Sequence, residues 1–174
     1  VSILILSILA GTVEVSAQES AIVNEKEIQR LLQQAGQATS YTWFAAESAG
    51  KKLGKMGKPA VPILTTALQN NNSNIRLTAV FALGVIGPSS QEAVPSLINV
   101  LLRDEDRFVQ SESANTLMKI GPAARAAAFP DLIQAWHNTK EEFMVKEGSA
   151  SPSLLRILSK TVKENPELIP RLIQ

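Results

Sequence analysis

The chain repeats itself every 30 to 35 residues, which restricts it to architectures that stack one small unit. The segment IRLTAVFALGVIG, Ile75 to Gly87, lies over VQSESANTLMKIG, Val109 to Gly121, at an offset of 34. Ile75 then meets Val109, Leu83 meets Leu117, Ile86 meets Ile120 and Gly87 meets Gly121. At an offset of 30 in the other direction, AAESAGKKLGKMG gives a third copy, Ala45 to Gly57. A second module alternates with the first. It reads PAVPILTTALQ at Pro59 to Gln69, EAVPSLINVLL at Glu92 to Leu102 and AAFPDLIQAWH at Ala127 to His137. Its prolines, Pro62, Pro95 and Pro130, are 33 and 35 residues apart, and ELIPRLIQ at Glu167 to Gln174 is a weaker echo.

Both modules carry helical periodicity. Leu64, Ala67 and Leu68 recur at i, i+3 and i+4. Pro62 falls in a first turn, where a missing N–H costs nothing and a fixed φ suits the helix. In the other module Ile75, Ala79, Ala82, Leu83 and Ile86 form an apolar stripe. Gly87 offers the positive φ of a C-terminal stop, and Pro88 prevents continuation. Asn70 to Asn74 and Arg103 to Asp106 are polar turns in which Asn74 and Asp106 are placed to cap the next helix. Each unit is thus helix A, turn, helix B, glycine. Neither helix buries its stripe alone, and stacking supplies a continuous core. Small residues such as Ala49, Gly50, Gly54, Ala79, Ala82 and Ala114 suit close helix approach.

The run AVPILTTALQ followed by NIRLTAVFALGVIG resembles the short HEAT-like repeat of the phycobilisome-lyase type. That pattern is roughly A-V-P-x-L, a polar turn with Asp or Asn, then V-R-x-x-A-x-x-A-L-G-x-I-G. Arg76 and Asn74 fall on its Arg and its turn residue, whereas Gln110 and Met118 depart from it. The resemblance is good from Leu53 to His137 and loose on the flanks. It implies an all-α fold, a right-handed α–α superhelix (HEAT-like solenoid) of about four to five helix pairs. The B helices would line a concave face, and Arg76 would bond a turn acid of the next repeat, Asp104 or Asp106. The repeat domain spans 22–174, with units at about 22–57, 58–87, 88–121, 122–165 and a partial 166–174.

The flanks follow the same plan. Asn24 to Glu27 has capping-box spacing and leads into Ile28, Leu31, Leu32 and Ala35, the first helix A, which pairs with Thr42 to Met56. Tyr41, Trp43 and Phe44 are expected to close the end of the stack. Glu141 to Glu147 and Ser153 to Lys163 read as one helix B broken by Gly148 and Pro152. Residues 1–17 read as a trimmed export signal: the apolar VSILILSILA is too short for a span of about 20 residues, and Val15-Ser16-Ala17 fits a cleavage site. The expected localisation is therefore exported, secreted or periplasmic, with no stable membrane span.

Composition narrows the chemistry. There are no cysteines, one histidine (His137) and a net charge of +1 from 17 basic and 16 acidic residues. Disulfides, thiolate metal sites and cysteine nucleophiles are excluded, and nucleic acid is not an expected partner. No metal, cofactor or catalytic residue is expected. The acidic groups Asp104-Glu105-Asp106 and Glu141-Glu142 read as solvated turns, and Trp136 aligns with the core positions Leu68 and Leu101. The leading function is a non-catalytic scaffold binding a protein or peptide through its B helices. The candidate contacts are Arg76, Leu77, Val80, Phe81, Gln110, Asn115 and Lys119. Leu77, Val80 and Phe81 lie off the apolar stripe, so either neighbouring helices cover them or they form an exposed patch. The alternatives are a bilin lyase- or isomerase-like subunit and a spacer within a longer solenoid.

Overall fold

A computed structural model describes residues 24–38, 42–143 and 152–172 of the chain. The reading of residues 1–17 as an export signal, the role of Tyr41, the break at Gly148 and the side chain of Trp136 lie outside the described residues. Helices alternate along the chain, and no strand occurs among the described residues. Helix α1 spans residues 24–36. It is followed by α2 (Thr42–Gly54), α3 (Val61–Ala67), α4 (Ser73–Ile86) and α5 (Val94–Arg103), then α6 (Arg107–Ile120), α7 (Pro122–Phe143) and α8 (Pro152–Glu164). Short 3₁₀ segments, Gly87–Ala93 and Pro166–Leu172, stand before α5 and after α8. None of these helices is long and apolar enough to cross a membrane.

The even-numbered helices are the B helices, and they pack in sequence: α2 on α4, α4 on α6, α6 on α8. The A helices α3 and α5 cover the other side, each against the B helix that follows it. They meet through the 3₁₀ segment Gly87–Ala93, which touches both. The core runs through every unit as a single cluster from Ile28 to Leu158 and includes Leu53, Leu64, Leu83, Leu97, Leu117 and Leu132. The all-α solenoid read from the repeats is the fold observed.

Local chemistry explains the boundaries. Pro62 and Pro95 sit in the first turns of α3 and α5, where no N–H is missed. Gly87 and Gly121 end α4 and α6 with φ of 65° and 126°, values that L side chains rarely adopt. The third unit differs. The sequence places a stop between Gly121 and a new helix at Pro130, but α7 runs unbroken through Pro130. The connector there is AARAAA, strong helix formers, where the previous unit has SSQEA. Glu141 and Glu142 therefore lie in α7 rather than in a turn, and Pro152 opens α8 instead of interrupting it. The capping-box acid Glu27 turns to Arg30 at 2.6 and 2.7 Å, and this bond holds its carboxyl below the usual range.

Glycine governs how closely the B helices approach. A Cβ on Gly50 would lie 2.5 Å from the Phe81 Cβ and 3.0 Å from the Thr78 carbonyl oxygen. One on Gly54 would lie 2.4 Å from the Val85 Cβ, and one on Gly84 would lie 2.8 Å from the Thr116 hydroxyl. Thr116 meanwhile donates to the Val80 carbonyl at 3.0 Å, a side-chain bond from α6 into α4. Replacing Gly50 with Ala should lower stability by about 1–3 kcal/mol through overpacking, despite the helix propensity gained, about 1 kcal/mol. Urea denaturation checks this. A neutral or stabilised Gly50→Ala would mean that α2 is free to move away from α4.

Candidate interaction face

The AB turns hold the B helices in place by a pattern that repeats with the sequence. In one unit the Asn72 amide N–H donates to Asn70 Oδ1 and the Asn74 N–H donates to Asn72 Oδ1, both at 2.9 Å. Thirty-four residues on, the Asp106 N–H donates to Asp104 Oδ1 at 2.9 Å and the Phe108 N–H to Asp106 Oδ1 at 2.8 Å. Asp106 is the N-cap of α6, as its position suggests. For α4 the cap is Asn72 rather than Asn74. The Asn74 side chain instead donates to the Ala38 carbonyl at 3.2 Å, tying α4 to the preceding unit.

Arg76 is anchored in this turn system. Its Nε and Nη2 each donate to an Asp104 carboxylate oxygen at 2.7 Å, a two-pronged bond to the next unit. Its Nη1 donates to the carbonyls of Asn70 and Asn71 at 2.9 and 3.0 Å. The bonds to Asp104 hold the guanidinium above its ordinary pKa. Only 9% of the Arg76 side chain and 3% of the Asp104 side chain is exposed. Gln110, the equivalent position in the next unit, reproduces half of the arrangement. Its Nε2 donates to the Asp104 carbonyl at 2.6 Å, six residues back, just as Arg76 reaches Asn70.

The other candidates divide sharply. Leu77, Val80 and Phe81 are buried, at 4%, 0% and 6% exposure, so neighbouring helices cover them and they form no exposed patch. Phe81 meets Trp43 edge to face at 5.5 Å. Residues 76 to 84 of α4 are buried on every side, because α2, α6 and the A helices enclose it. With Arg76, four of the seven expected contacts are thus interior. Asn115 is half-buried, donating to Glu112 and accepting from Arg156 of α8, both at 3.0 Å. Lys119 is exposed. Trp43 packs against the core as expected, but Phe44 stands 64% exposed and does not close the end of the stack.

Apart from Lys119, the exposed surface of the B helices is made by residues outside that set of seven. Lys51 and Lys52 lie on α2, with Lys55 just past its end. Arg107 and Lys119 lie on α6, and Arg156, Lys160 and Lys163 on α8. These are eight exposed cations, and the one exposed acid on the described B helices, Glu164, binds Arg125. Exposed apolar groups lie among them: Phe44 and Phe108, the latter 69% exposed, and Val85 at 46%. The repeat offsets make Phe44, Asn74 and Phe108 equivalent, and likewise Lys55, Val85 and Lys119. The first row crosses the B layer near the N-termini of its helices and the second near their C-termini. The sequence contained this signal in its register, but a search for apolar off-stripe residues passes over it. Among the described residues no three His, Asp or Glu converge on a possible metal position.

No curated protein matches the chain. A match to the HEAT repeats covers residues 61–151, from the start of α3 through α7. That is just over half of the 174 residues. With the paired helices, the repeating turn bonds and the single continuous core, this places the chain in the HEAT-repeat family.

Proposed function

We propose that the chain is a non-catalytic scaffold that binds a protein or peptide partner across its B-helix face. HEAT repeats are generally interaction modules, and the fold provides a rigid layered support for such a face. The observation that carries the reading is the exposure of Phe44, Val85 and Phe108, with Leu155 of α8, on a layer whose remaining large apolar groups are buried or half-buried. Aromatic side chains left in water at equivalent repeat positions are natural anchors for a partner. Residues 1–17 as an export signal would place this binding outside the cytoplasm.

The reading is tested by selecting ligands from a displayed random-peptide library and comparing the chain with the Phe44→Ser/Phe108→Ser and Lys55→Glu/Lys119→Glu variants. Selected ligands should lose about tenfold or more in affinity for at least one of them, about 1.4 kcal/mol. Thermal melts should stay unchanged, because all four residues are exposed. Failure to select any ligand, or affinity unchanged from the parent chain in both variants, would remove the B-helix face from consideration.

A further inference from the structure

We infer that the B-helix face takes an acidic, extended peptide segment along the row formed by Lys55, Val85 and Lys119. This rests on the scaffold reading and specifies its ligand. The whole chain is almost neutral at +1, yet the exposed ionisable groups of the B layer are nearly all cations. The B helices also carry Glu47, Glu112 and Glu164, but the first two are half-buried and Glu164 binds Arg125; exposed acids of the neighbouring elements include Glu92, Glu105 in the turn before α6, and Asp131. That charge separation favours an acidic partner and sets its orientation.

Geometry narrows the ligand further. The side chain of Lys119 lies along Gly84, its Cδ 3.4 Å from where a Cβ would stand, next in sequence to Val85. Val85 in turn packs on Gly54, the neighbour of Lys55. The row therefore crosses three adjacent helices without a break. Lys55 and Lys119 have no acid within 4 Å among the described residues, whereas Lys51 pairs with Glu47 at 2.8 Å. Last-turn lysines also complement a helix dipole, which accounts for a single lysine but not for a face almost free of acids. Packed helices are about 8–10 Å apart, and an extended chain rises about 3.3 Å per residue. Every third ligand residue then meets a new helix, giving the pattern acid-x-x-apolar-x-x-acid. Lys163 of α8 offers an extension for a longer acidic run, whereas Lys160 already lies 3.8 Å from Glu164.

Single-stranded nucleic acid is the competing polyanion, and the structure disfavours it. Base stacking needs aromatic rings beside the phosphate track. Phe44 and Phe108 precede Lys55 and Lys119 by eleven residues on the same helices, about 16 Å along the axis.

The probe is a fluorescein-labelled peptide with aspartate, leucine and aspartate at every third position, titrated by fluorescence anisotropy. The comparisons are its asparagine counterpart, its lysine counterpart and a labelled oligothymidylate. The aspartate peptide should bind about tenfold or more tightly than the asparagine one, with affinity falling as salt rises. Lys55→Glu/Lys119→Glu should abolish that preference and transfer binding to the lysine peptide, a reciprocal gain that misfolding cannot produce. Equal binding of the aspartate and asparagine peptides, failure of the exchange, or tighter binding of oligothymidylate would overturn the inference. Neutral ligands selected from the library that require Phe44 and Phe108 would also overturn it, while leaving the scaffold reading intact. Failure to select any ligand would remove both.

Discussion

Replacing Asp104 with Ala should destabilise the chain by about 3–5 kcal/mol, the usual consequence of stripping one partner from a buried ion pair. The Asp104 carboxylate is 3% exposed and takes both prongs of Arg76 while also accepting the Asp106 N–H. Without it a buried guanidinium keeps only the exposed Glu105, 3.6 Å away, as a counter-charge, and the turn entering α6 loses a hydrogen bond. Arg76→Ala should also destabilise the chain strongly, because its four bonds close two successive turns. The double variant should be less destabilised than the sum of the two by more than about 1 kcal/mol, since neither group is left alone. Urea unfolding of the four proteins measures this coupling. Strict additivity would mean that the pair is solvated in solution. Gln110→Ala should be milder, about 1 kcal/mol, because it removes one neutral hydrogen bond.

The second large effect is expected at Arg125, which is 2% exposed. Its Nη1 donates to the Met118 carbonyl at 2.9 Å, seven residues back, and its Nη2 binds Glu164 at the end of α8. One unit earlier a similar duty falls to Ser90, whose one hydroxyl proton is shared between the Gly87 carbonyl at 2.6 Å and the Leu83 carbonyl at 2.9 Å, the latter also seven residues back. The arginine therefore does what the serine does and reaches on to the next B helix as well. Removing Glu164 leaves the buried charge without a counter-ion, so Glu164→Ala should cost about 3 kcal/mol or more. Arg125→Met fills similar space without a charge and leaves Glu164 able to reach water, so its cost should be smaller. Each unit of a solenoid touches only its neighbours. Hydrogen exchange in Glu164→Ala should therefore accelerate in α8 and leave α4 protected. If Arg125→Met proved the more damaging change, the bond to the Met118 carbonyl rather than the ion pair would be what matters.

The residues show which features of this fold are legible in a sequence. The 34-residue offset located the helices and glycine stops, and the acids offered to Arg76 included its actual partner. An apolar stripe cannot decide Leu77, Val80 and Phe81, because it assigns a helix one buried side. An inner helix of a layer is enclosed on three sides, and its signature is apolar character all round. Asn72 and Asn74 have the same chemistry, so only the backbone decides which of them caps. At Pro130 two signals conflict: proline marks a helix start, while the connector of alanines favours continuing the helix, and the connector prevails. Repeat register, rather than hydrophobicity, marks the exposed row at Lys55, Val85 and Lys119.

The glycines between the B helices have a consequence for the form of the array. Gly50, Gly54 and Gly84 let α2, α4 and α6 lie nearly backbone to backbone, while Gly87–Ala93 is wedged between α3 and α5 on the opposite side. Three B helices in such close contact give their exposed face short, fixed steps from one helix to the next. Larger residues at those glycines would push the B helices apart and widen those steps. A ligand that bridges three B helices therefore depends on residues it never touches, since the glycines beneath it set the distance between its contacts.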